Sequence, residues 1–124
     1  MAIWGDLMTT DDSRFLVMGV AGLVRCDLIG AVKEQFPTIS PVTVGSEVEA
    51  IEVAQQSDGW KFAFLSLGPE DFAASELAAL FAKLKTKVIL LGDAAEEAAA
   101  NSPFPVLMRP FSGADILRLL GYKP

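Results

Sequence analysis

The sequence predicts an α/β domain in which five strands alternate with five helices around a parallel sheet. Three observations carry this. The strand candidates are short, nearly continuous apolar runs, as in R-F-L-V-M at residues 14–18 and K-F-A-F-L-S-L-G at residues 61–68, the pattern of strands buried on both faces. Each run is followed by a segment of helical spacing, and parallel neighbours need such crossovers, which are right-handed. The chain has 124 residues, 52% hydrophobic and 21% charged, which suits one domain whose core needs neither disulfide nor metal.

Residues 1–13 read as a leader. Ile3, Trp4, Leu7 and Met8 stand at near-helical spacing before a polar, turn-like T-T-D-D-S. One reading is a tail packed loosely on the domain; the other is a short docking helix in which Trp4 and Leu7 meet a partner or a second copy. The domain proper is 14–124.

Residues 14–18 make the first strand, closed by Gly19. The first helix spans 23–36, with Leu23, Val24, Leu28, Val32 and Phe36 on its apolar face and Pro37 ending it. Cys26, mid-helix, reads as a small buried hydrophobe rather than a redox group. A short strand at 42–44 follows Pro41. Ser46-Glu47-Val48-Glu49 is a capping box that opens a helix reaching Gln56, with Val48, Ile51 and Val53 available for burial.

Asp58-Gly59 turns the chain into the strand at 61–68, with Trp60 packed at its start, and a loop at 68–72 leads to a helix at 74–85. Its apolar stripe is Leu77, Leu80, Phe81 and Leu84, and the lysines Lys83, Lys85 and Lys87 read as a solvated helix end. Residues 88–91 form the fourth strand. Asp93 caps a short Ala-rich helix at 94–101, ended by Ser102-Pro103. Residues 106–108 form the last strand, and Ser112 caps a final helix at 114–120 before Gly121.

Composition excludes several function classes. The chain contains no histidine, the commonest general acid/base and metal ligand, so neither a Ser-His-Asp nor a Cys-His catalyst can form within it. The net charge of −6 opposes sequence-independent nucleic-acid binding. A single cysteine excludes an internal disulfide and fits a reducing compartment. No apolar run approaches the ~20 residues that span a bilayer, and no secretory signal is visible. The expectation is a cytoplasmic protein with no membrane association. Gly19–Gly22 supplies only G-x-x-G, short of a phosphate-cradling motif. No cofactor, no metal and no enzymatic activity are expected.

Residues 14–120 resemble the receiver domain of two-component response regulators in three segments. Residues 14–25, R-F-L-V-M-G-V-A-G-L-V-R, are similar to the first strand and helix start of receivers, which read like I-L-V-V-D-D-E-P-L-V-R. Residues 62–67, F-A-F-L-S-L, are similar to the third strand, usually ending L-D-L. Residues 107–116, L-M-R-P-F-S-G-A-D-I, are similar to L-x-K-P-F-S-x-x-x-L and are the most specific of the three. The resemblance implies a (βα)5 flavodoxin-like three-layer sandwich with a five-stranded parallel sheet of order 2-1-3-4-5. It also implies a cis bond between Arg109 and Pro110. The 17 positions from Gly92 to Arg109 are fewer than receivers have, which implies a shortened fourth helix.

The same resemblance marks what this chain lacks. The Mg²⁺-holding acidic pair of receivers aligns with Gly19 and Val20, the phosphoacceptor aspartate with Ser66, the Thr/Ser with Gly92, the aromatic switch with Val106 and the lysine with Arg109. Mg²⁺ favours carboxylate and other oxygen ligands, Gly19 and Val20 offer no side-chain oxygen, and without the ion a transferring phosphoryl group loses its main charge clamp. Ser66 is a poor nucleophile without a neighbouring base. No Mg²⁺ is expected. The implied function is a non-catalytic pseudo-receiver: a phosphorylation-independent protein–protein interaction module in bacterial two-component signalling, with a signalling protein or a homodimer mate as partner. The alternative is a small-ligand or anion sensor using a neutral cleft rimmed by Gly19, Gly22, Ser66, Gly68 and Gly92. The fork of Arg109 either binds an anion there or swings out onto a loop carbonyl or Asp93.

Overall fold

A computed structural model describes residues 13–57 and 59–121. Five parallel strands form one sheet in the order β2-β1-β3-β4-β5: β1 (Arg14–Met18), β2 (Ser40–Val44), β3 (Trp60–Leu65), β4 (Lys87–Leu91) and β5 (Val106–Leu107). The described residues form six helices: α1 (Gly22–Gln35), α2 (Glu47–Gln56), α3 (Pro69–Ala74), α4 (Glu76–Leu84), α5 (Asp93–Glu97) and α6 (Gly113–Leu119), with a 3-10 turn at Ala99–Asn101. This is the flavodoxin-like α/β arrangement, with a short helix before β5. The leader with Trp4 and Leu7 lies outside the described residues, as does Asp58.

Alternation along the strands divides the core in two. Phe15, Val17, Phe62, Phe64, Ile89 and Leu91 point to the face covered by α1 and α6. Leu16, Met18, Ala63, Leu65 and Leu90 point to the face covered by α2, α3, α4 and α5. Phe15 and Phe64, both fully buried, meet edge to face at 6.1 Å between centroids, a favoured aromatic geometry. Trp60 is buried at the head of β3 and donates its indole N–H to the Ser57 carbonyl at 3.0 Å. None of the described polar or charged residues is buried. No described helix is long and apolar enough to cross a membrane.

Several elements depart from the sequence expectation. On α1 the buried residues are Leu28 and Val32, whereas Leu23 is 81% exposed and Cys26 is exposed. Cys26 stands two positions before Leu28, roughly 200° round a helix of 3.6 residues per turn, so it faces outward rather than into the core. Val48 is 65% exposed on α2, and the small Ala50 and Ala54 fill the core face instead. Ile51 and Val53 pack partly buried at its edge.

The helix expected at 74–85 is α4, and the loop expected before it, at 68–72, is largely a further helix, α3. Pro69, at the first helical position, has no N–H to orphan, so α3 begins inside the expected loop. The extended Ser75 (φ −87°, ψ 160°) separates α3 from α4, its hydroxyl donating to the Phe72 carbonyl at 2.7 Å. Strand β2 is longer than 42–44 and contains Pro41, which an edge strand tolerates. Strand β5 stops at Leu107, leaving Met108 half exposed. Ser46 and Ser112 cap α2 and α6 as the sequence indicates; the reciprocal box expected at 46–49 is not closed, and one forms at α6 instead. Ser46 accepts from the Glu49 N–H, Glu49 reaches back to the Gly45 N–H, and Ser112 and Asp115 complete a reciprocal box. Asp93 is not a cap: Gly92 occupies that position, and the Asp93 carboxylate is engaged elsewhere.

Candidate functional site

In open α/β sheets, sites form beyond the carboxyl ends of the strands, where the order of strands reverses. Here that place lies beyond β1, β3 and β4 and holds a cleft of about 200 Å³. Gly19, Val20 and Ala21 follow β1, Ser66 follows β3, Leu91 and Gly92 end β4, and Arg109 reaches in from beyond β5. The ladder fixes these positions. Ser66 donates its backbone N–H to the Met18 carbonyl, and Gly19 donates to the Val44 carbonyl, each at 3.0 Å.

Ser66 sits between two glycines. A Cβ on Gly19 would lie 3.2 Å from Ser66 Cβ, and a Cβ on Gly92 would lie 2.9 Å from Ser66 Oγ. Both glycines also have positive φ, +73° and +96°. The positive φ favours glycine at both positions, and the close approach adds to it most strongly at Gly92. Of the glycines expected at this rim, Gly19 and Gly92 line the cleft. Gly22 has no neighbour within 4 Å of its Cβ position, and Gly68 packs on Ala94 and opens on a separate, larger cleft. Val106, opposite Leu90 in the ladder, packs into the α2–α5 side of the core and does not line the cleft.

Arg109 sits at the mouth, held by acids. Its Nε and Nη2 donate to the two carboxylate oxygens of Glu96 at 2.9 and 3.0 Å, and its backbone N–H donates to Glu96 at 3.1 Å. Nη2 also donates to Asp93. The side-chain hydrogen bonds from Arg109 hold the Glu96 carboxyl below the usual carboxylate range, and Glu96 and Asp93 together push the Arg109 guanidinium higher still. The Arg109–Pro110 peptide is cis. The contact to Asp93 is one that the sequence offered; Glu96 it did not single out. The available signal was spacing, because Asp93 and Glu96 stand three apart at a helix start and so share a face.

The chemistry open to this arrangement is narrow. The lining offers one hydroxyl and one guanidinium, and that cation is neutralised by two carboxylates outside the lining. Neither a carboxylate nor a general base stands in the lining. No group of three or more His, Cys, Asp or Glu suited to a metal ion occurs among the described residues. No protein-family model, no curated protein and no solved structure matches the chain.

Proposed function

We propose that this chain is a degenerate receiver-like domain that works by binding a protein partner, independently of phosphorylation, in bacterial two-component signalling inside the cell. The partner is a signalling protein or a second copy. The observation that carries the reading is Ser66 packed between Gly19 and Gly92. The position aligned with the phosphoacceptor carries a hydroxyl without a base, and Gly19 and Val20 beside it supply no carboxylate or other side-chain oxygen for Mg²⁺. The frame survives and the reactive groups are gone, which suits a surface used for contact.

The anion-sensor reading loses its main support through Arg109. A guanidinium already forked onto Glu96 and bonded to Asp93 presents little net positive charge to an incoming anion.

Incubation of the full chain with acetyl phosphate and Mg²⁺, followed by intact mass measurement, tests the proposal. The expected result is an unmodified protein. A phosphoryl adduct mapped to Ser66 would sink it. Thermal melts with phosphate or sulfate address the second reading, and the expected outcome is an unchanged midpoint.

A further inference from the structure

The opposite end of the sheet carries a cleft of about 360 Å³, with Ser13, Trp60, Lys61, Leu84, Lys85 and Lys87 among its walls. The fold assembles these lysines from three places. Lys61 is on β3, Lys87 opens β4 opposite Phe62, and Lys85 occupies the left-handed turn (φ +60°) that joins α4 to β4. All three are exposed, and none is in an ion pair with a described residue. Three unpaired cations at one cleft stand out in a chain of net charge −6.

The complementary charge lies in the same chain. Residues 1–12, M-A-I-W-G-D-L-M-T-T-D-D, carry Asp6, Asp11 and Asp12 with no lysine or arginine, together with Ile3, Trp4, Leu7 and Met8. This segment joins the domain at Ser13, on the rim of the lysine cleft. We propose that the cleft is the docking site for residues 1–12, with the aspartates meeting Lys61, Lys85 and Lys87 and the apolar side chains lying over Leu84 and the lysine stems. The tether makes the encounter intramolecular, at an effective concentration on the order of millimolar, so weak surface charge pairs suffice. The other large cleft, of about 500 Å³ beside Gly68 and Ala94, carries Glu70 and Asp71 and repels an acidic segment. The proposal does not depend on the receiver-like reading.

Carbodiimide cross-linking of the full native chain, with peptide mapping, tests it. Asp6 is the diagnostic carboxylate, since it stands seven residues before Ser13, up to about 25 Å away when extended. The expected result is an amide link from Asp6 to Lys61, Lys85 or Lys87, several-fold more abundant than links from Asp6 to Lys33 or Lys83. In a mixture of isotope-labelled and unlabelled protein the links stay within one chain. Equal yields to Lys33 or Lys83, absence of Asp6 links, or links only between chains would each overturn the proposal. So would capture of the cleft lysines by the carboxylate of Pro124 in place of Asp6.

Discussion

Gly92 and Ser66 meet at a position that strains any other residue: a Cβ at Gly92 would sit 2.9 Å from Ser66 Oγ, on a backbone at φ +96°, ψ 176°. The contact joins the end of β4 to the end of β3 and closes the floor of the cleft. Two separate penalties fall on any side chain there, a steric one that depends on Ser66 and a conformational one that does not. Gly92→Ala is expected to destabilise the domain by about 1–3 kcal/mol, from the dihedral cost with the clash added. Combined with Ser66→Gly, it is expected to lose the clash and keep the dihedral cost. Denaturant melts of the two single variants and the double variant measure this, and strict additivity would show that the contact carries no energy.

Two leucines on α1 separate packing from pattern. Leu28 is fully buried and Leu23 is 81% exposed. Leu28→Ala is expected to cost about 2–5 kcal/mol, and Leu23→Ala to stay within about 0.5 kcal/mol of the parent. Urea unfolding distinguishes the two directly. Equal losses would place Leu23 in the core.

Cys26 lies on the outer side of the same helix and is exposed. It is expected to react completely with an aromatic disulfide reagent in the folded protein, without denaturant, in a single phase. Reaction that waits for unfolding would return Cys26 to the core.

The acid response follows from two carboxyls. Glu96 is held below its usual range chiefly by the side-chain hydrogen bonds of Arg109. Asp115 is held low first by the Ser112 backbone N–H, then by Arg118 and the Ser112 hydroxyl. A depressed folded-state value means that the stability contributed is complete above the unfolded-state value, about 4 for such groups, and is lost as pH falls through the folded value. Thermal melts of Glu96→Gln are therefore expected to lie below the parent at neutral pH and converge with it under acid. The gap is small, as for a solvent-screened pair. Curves that stay parallel through the acid range would remove the Arg109–Glu96 pair from the account.

The residues themselves show where the sequence was legible. The unbroken apolar runs at Phe15–Met18 and Phe62–Leu65 announced strands buried on both faces, because successive side chains point to opposite faces and a run with no polar member leaves no solvent side. Ser112 announced the start of the last helix, and the reciprocal bond from Asp115 was not read. Helix α3 was not legible, since Gly68-Pro69 reads as a turn and the apolar period of Leu77, Leu80, Phe81 and Leu84 begins only after Ser75. The outward turn of Cys26 was legible and went unread: Leu28 and Val32 mark the inward face of α1, and a residue two positions before Leu28 stands on the far side of the helix.

The sequence by itself determined the alternation of strands and helices and the residue types left at the strand ends. It therefore determined that Ser66 has no histidine to activate it and that Gly19 and Val20 bring no side-chain metal ligand, because those are properties of side chains and not of their arrangement. Only the tertiary structure decided that Gly19 and Gly92, 73 positions apart, close on the same serine. It also decided that Arg109 pairs with Glu96 and Asp93, and that Lys61 joins Lys85 and Lys87 at the far end. Such contacts depend on strand order and register, which set distances between residues far apart in the chain and leave no periodic trace in it.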